Sequence, residues 1–187
     1  MSDGEETPVL ELRPDSPLRR AALEVEAHVA AEGWDQPPRL FALVRTADLV
    51  ASQPGLAEQL GDGSDGSFTP VEQDGVPVDP GFEEALTRLS WPDSVHGCAV
   101  ALERVMLPPS AQEDLPADPA LVAEAAAAHP DREDVRLVAA VLRGGKAHTT
   151  VRRRAAGEGS DDSDLLEGPD LVPELVALLD QTLTETT

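Results

Sequence analysis

The sequence predicts an α+β fold in one domain, an antiparallel or mixed sheet of about five strands with helices packed on it. Three observations predict it. The runs "RLFALVRT", "HGCAVALERVML" and "VRLVAAVLR" are apolar on both faces over much of their length, the pattern of strands inside a sheet rather than at its surface. Helical stretches stand among these runs without the strict alternation that a parallel sheet requires. The last two strands are joined by "GGK", whose glycines accept the positive φ of a hairpin turn, so this pair at least is antiparallel.

Each element has its own warrant. Residues 1–15 are polar, proline-containing and aperiodic and read as a disordered acidic tail. Ser16 caps a first helix, Pro17 suits its first position, and Leu18, Ala22, Val25 and Val29 form its inner face until Gly33 stops it. Beyond the turn "WDQPP", Pro38 blocks further helix and "RLFALVRT" begins as a buried strand. Thr46 reads as the cap of "ADLVASQ", a short helical piece "GLAEQL" follows Pro54, and "FTPVEQ" is an edge strand because of Pro70.

Asp79 and Pro80 open a helix through "GFEEALTRLS", which ends before Pro92. "HGCAVALERVML" is the central strand, and Asp118 with Pro119 starts the helix "ALVAEAAAA", which Pro130 terminates. The hairpin "VRLVAAVLR"–"GGK"–"AHTTVRRR" comes next, and then the acidic loop "GEGSDDSD". Asp170 caps a final helix whose stripe is Val172, Leu175, Val176, Leu179 and Leu183. Residues 16–184 thus make one domain, with a core built from Leu, Val and Ala, because aromatic residues are 3% and Tyr is absent.

Charge narrows the partners. With 36 acids, 14 bases and a net charge of −22, the chain is repelled by phosphate backbones and anionic lipid surfaces, so neither nucleic acid nor a membrane is expected. The same acidity suits solubility, a basic partner or cations. Cys98 is the one cysteine, so there is no intrachain disulfide, and a buried inert thiol is expected. No stretch has the roughly 20 apolar residues of a membrane span, and residues 1–17 lack the plan of a secretory leader, so a cytoplasmic protein is expected.

No catalytic motif stands out. His28, His96, His129 and His148 fall on different elements without a second ligand at metal spacing, and no metal or cofactor is expected. "GDGSDGS" fails as a calcium loop, since Gln73 stands where the bidentate Glu belongs and Ser64 at the third position. "RGGK" lacks the spacing and context of a phosphate loop. Arg152, Arg153 and Arg154 are the one concentration of positive charge, and the acids from Glu158 to Asp164 lie next to them to neutralise them.

The stretches "GWDQPPRLFALV", "WPDSVHGCAVALERVMLPP", "HPDREDVRLVAAVLR" and "GPDLVPELVALL" together resemble an uncharacterised family of small actinobacterial proteins over about residues 17 to 183. The resemblance implies no reaction, cofactor or site residue.

Three functional readings follow from the residues. The first is a non-enzymatic interaction module that binds a protein partner or a second copy of itself, for which edge strands and amphipathic terminal helices offer surfaces. The second is a small-molecule or enzyme pocket where "GWDQPPR" meets the "HPDRED" turn. Trp34 would be its stacking surface, Arg39 its anion clamp, and His129, Asp131 and Arg132 would contribute ionisable groups. The third, a regulator that meets a basic partner by charge mimicry, requires the acids to form one patch.

Overall fold

The first helix, α1 (Pro17–Ala30), begins where Ser16 accepts a bond from the Arg19 amide and Pro17 supplies a first residue that needs no donor. It ends at Ala30, with the Gly33 amide folded back onto the Ala30 carbonyl at a φ of 90°. The computed structural model describes residues 15–76, 81–155 and 165–184. The predicted tail up to residue 14, the acidic loop and the Asp79–Pro80 helix start lie outside them.

After α1 come β1 (Arg39–Arg45), α2 (Thr46–Ser52), a 3-10 turn (Pro54–Leu56), α3 (Ala57–Leu60) and β2 (Phe68–Glu72). Then follow α4 (Phe82–Thr87), β3 (Gly97–Met106), α5 (Pro109–Gln112), α6 (Pro119–Ala128), β4 (Glu133–Leu142), β5 (Ala147–Arg153), β6 (Leu165–Gly168) and α7 (Pro173–Thr184). Among the described residues the strands form one six-stranded sheet in the order β2-β1-β3-β4-β5-β6, every neighbouring pair antiparallel.

Two expectations are corrected here. The sheet has six strands rather than about five, because "LLEG" pairs with β5, Thr149 opposite Gly168 and Arg152 opposite Leu165. Those four residues have too little alternation to be read as a strand locally, and the neighbouring strand organises them. Thr46 begins α2 rather than capping it. Arg45 holds the cap position without a side-chain bond, and the Thr46 hydroxyl lies 2.9 Å from that of Thr69 on β2.

The sheet buries both faces. One packs against α1, with Leu18, Ala21, Ala22, Val25 and Val29 on Phe41, Leu43, Ala99, Ala101, Val138 and Ala140. The other packs against α4 and α7, where Phe82, Leu86, Leu179 and Leu183 meet Leu40, Val100, Leu102, Leu137 and Val141. Strand residues divide between the two clusters by strict alternation, as the pleat requires. Trp91 joins the second cluster and donates its indole N–H to Thr182 at 3.0 Å. Arg143 fastens the same corner, bonding the carbonyls of Trp91, Pro92, Val95 and Leu183, so a cation also sits at the C-terminal end of α7.

Candidate functional site

Under the C-terminal end of α1 the apolar face gives way to charge. Arg39, Glu103, Arg136 and Arg152 occupy the sheet positions that point toward this helix, with Glu103, Arg136 and Arg152 directly opposite one another across three strands. Glu26, 4% exposed, takes two bonds from Arg152 and lies 3.9 Å from Arg136, itself 1% exposed. Arg136 also reaches the Gly33 carbonyl and, at 3.4 Å, Glu103. Charges this deep are tolerable because each has a counter-charge and hydrogen bonds.

This network pins the "GWDQ" turn. The Trp34 ring lies between two guanidinium groups, 4.4 Å from Arg136 and 5.5 Å from Arg154, in reach of the attraction between cations and an aromatic face. Asp35 adopts a φ of 66°, a left-handed conformation that Asp enters more readily than most residues. Its amide donates to Glu103 at 2.8 Å and its carboxylate takes two bonds from Arg154 at 3.0 and 3.1 Å. Those bonds hold the Asp35 carboxyl below its ordinary pKa.

The opposite face carries an open groove of about 410 Å³ where the first turn of α7 leaves the sheet, within the range of about 300–1,000 Å³ that ligand clefts occupy. Leu102 and Leu137 form its floor, Leu171, Val172, Leu175 and Leu178 one wall, and the ion pair of Arg104 with Glu83, 2.6 Å apart, stands on its rim beside Glu174. Leu171 is 41% exposed and packs over Gly168, where an added Cβ would meet it at 3.3 Å. Met106, two residues beyond Arg104 on the same strand face, and Leu166 on β6 are also exposed. A second hollow, of about 530 Å³, separates α1 from β2 and is lined by Glu24, His28, Phe41, Pro70 and Glu72 among others.

A family model described as PPA1309-like protein matches residues 18–184. The chain belongs to the PPA1309-like family. Comparison with curated proteins and with solved structures finds no match. The PPA1309-like region runs from the first turn of α1 to the last residue of α7, so the charged corner and the groove both lie within it.

The residues singled out from the sequence separate into two groups in this PPA1309-like structure. Trp34 stacks on the protein's own arginines. Arg39 clamps Glu72 through two bonds of 2.6 Å, lies 3.0 Å from Glu32 and 3.2 Å from His28, and the carboxylates of Glu72 and Glu32 raise its pKa further. His129 accepts the Asp131 amide on Nδ1 and lies 4.0 Å from Asp114, while Arg132 bonds the Ala127 carbonyl at the end of α6. Among the described residues the two turns are bridged by Arg154, which bonds Asp35 and lies 3.8 Å from Asp134. The arginine triplet is neutralised by carboxylates distant in sequence: Glu26 for Arg152, Glu133 for Arg153, and Asp35 with Asp134 for Arg154. The proposed counter-ions Glu158–Asp164 lie outside the described residues.

Two other groups complete the chemistry. Cys98 is buried, bonded to Thr182, and burial pushes its thiol up to about 12, so it is not a nucleophile at neutral pH. His148 is buried against Glu167, 3.1 Å away, and desolvation lowers its pKa. Glu167 is held below its ordinary range chiefly by Arg19. Among the described residues no cluster of three or more His, Cys, Asp or Glu is placed to hold a metal, and no helix is long and apolar enough to cross a membrane.

Sequence reasoning missed the groove. Its wall is the α7 stripe read above, extended by Leu171 and Leu178, and an apolar stripe wider than one core face was the available signal.

Proposed function

We propose that this protein is a non-enzymatic cytoplasmic interaction module that binds a partner protein through the groove at the start of α7. The observation that carries the reading is the groove's apolar wall, where Leu171 is exposed above a floor of Leu102 and Leu137, continued outside by the exposed Met106 and Leu166. Apolar surface left uncovered and rimmed by polar groups is a usual mark of a protein-binding site. The charged corner supports the same division, since its cations and carboxylates satisfy one another and the fold uses them.

The test is a photo-reactive residue at position 171, compared with one at the exposed Ser52 on α2. In extract from the source cells, position 171 gives a discrete adduct with a single partner, lost when Leu178 is changed to Arg, and position 52 gives none. Equal labelling from both positions, or labelling unaffected by Leu178→Arg, overturns the reading. An adduct of twice the chain mass identifies the partner as a second copy.

A further inference from the structure

The groove lies on a sheet face, and this decides what backbone it accepts. At a sheet edge an extended peptide pairs its amides and carbonyls with the edge strand; on a face those groups meet side chains and stay unpaired. A helix satisfies its own backbone and offers only side chains. The floor of Leu102 and Leu137, with α7 as one wall, is a slot in the helical layer that α4 and α7 begin on this face.

Charge selects among helices. Arg104 is neutralised by Glu83 at 2.6 Å. Glu174 is exposed with no ion-pair partner among the described residues, so the rim is net negative. The whole chain carries −22, so a second copy brings the same charge toward its own kind, and an anionic helix or lipid surface is repelled.

We propose that the partner of this groove presents a cationic amphipathic helix, its apolar stripe seated against Leu171, Leu175 and Leu178 over the floor of Leu102 and Leu137, and its Lys or Arg flank against Glu174. The proposal rests on the reading of the groove as an interaction surface. It adds the form and charge of what binds there.

Three synthetic helices test it against the full-length, isotope-labelled protein. The first has a Leu stripe with Lys flanks, the second the same stripe with Glu flanks, and the third Lys flanks with the stripe replaced by Ala and Gln. The expected result is that the first shifts the NMR resonances of Leu102, Leu137, Leu175 and Leu178. Its affinity falls as salt rises, and falls by about tenfold in Glu174→Lys, whose thermal midpoint moves by no more than about 2 °C because the site is exposed. The other two helices leave the groove resonances in place. If the Glu-flanked helix binds the groove as well as the first, the charge assignment is overturned while the groove remains a docking surface. If the stripe-less cationic helix binds equally, or the shifts spread over the acidic side chains of α1, the attraction is non-specific and the proposal fails. If no helix perturbs the groove, the helical-partner proposal fails, while crosslinking from position 171 decides the interaction reading separately.

Discussion

The two faces of the sheet solve the same packing problem with different chemistry. Under α1 the end of the sheet is sealed by a charged network, Glu26, Glu103, Arg136 and Arg152, with Trp34 lying over it. Under α7 the corresponding surface stays apolar and open, with Leu102, Leu137 and Leu171 lining a groove. The difference teaches where to look for function. A buried charge cluster draws attention as a site, yet here each charge meets a counter-charge within the fold, whereas Leu171 and its neighbours Met106 and Leu166 keep apolar surface exposed.

Substitutions that break this contrast have graded effects. Glu26→Gln leaves Arg136 and Arg152 facing each other across β4 and β5 without their shared carboxylate. Removing one partner of a buried pair costs about 3–5 kcal/mol, and urea denaturation reads this as a lower midpoint at unchanged slope. On the other face, Leu179→Ala empties a fully buried position and costs about 2–5 kcal/mol by lost burial and cavity, measured in the same way. Trp34→Ala removes the surface over which two guanidinium groups lie and costs about 1–2 kcal/mol. Its added signature is faster amide exchange at Asp35, whose bond to Glu103 the turn holds in place.

A smaller effect depends on pH. Burial holds the folded pKa of His148 below the unfolded value of about 6.5, so the unfolded chain takes up this proton first as pH falls. The stability contributed is therefore complete above that value and is lost as pH drops through it toward the folded pKa. Glu167, held low by Arg19, adds a loss of the same sign at more acid pH. In His148→Gln the fall in stability between about pH 7 and 5 is shallower, and denaturation midpoints across that range check it. At the bottom of the scale, Glu174→Lys on the groove rim changes stability by no more than about 0.5 kcal/mol.

How much of this was legible beforehand depended on how local each cause is. The caps Ser16 and Asp118, the Pro70 edge strand and the "GGK" hairpin rest on residues that act within a few positions, and they stand where their chemistry places them. β6 was missed because its four residues are held by pairing with β5 across an intervening acidic stretch. Arg39 was read as an anion clamp. It does clamp an anion, but the anion is Glu72, which the β1–β2 register brings alongside. The arginine triplet was expected to be neutralised within the chain, and the described structure neutralises it, through Glu26, Asp35, Glu133 and Asp134. Distant pairs of this kind depend on strand order, which no local spacing encodes. The groove escaped notice because its residues look like core, and only the arrangement of α7 on β3 and β4 shows that, among the described residues, some of them lack a cover.

The central claim is that the charged corner under α1 holds the fold together while the exposed wall of the leucine groove is free of that duty. Its most direct test is urea denaturation of Glu26→Gln beside Leu171→Ser under identical conditions. The account predicts a loss of about 3–5 kcal/mol for the first and of about 1 kcal/mol or less for the second, because Leu171 is only partly buried. Equal losses would contradict it, because the groove wall would then be core.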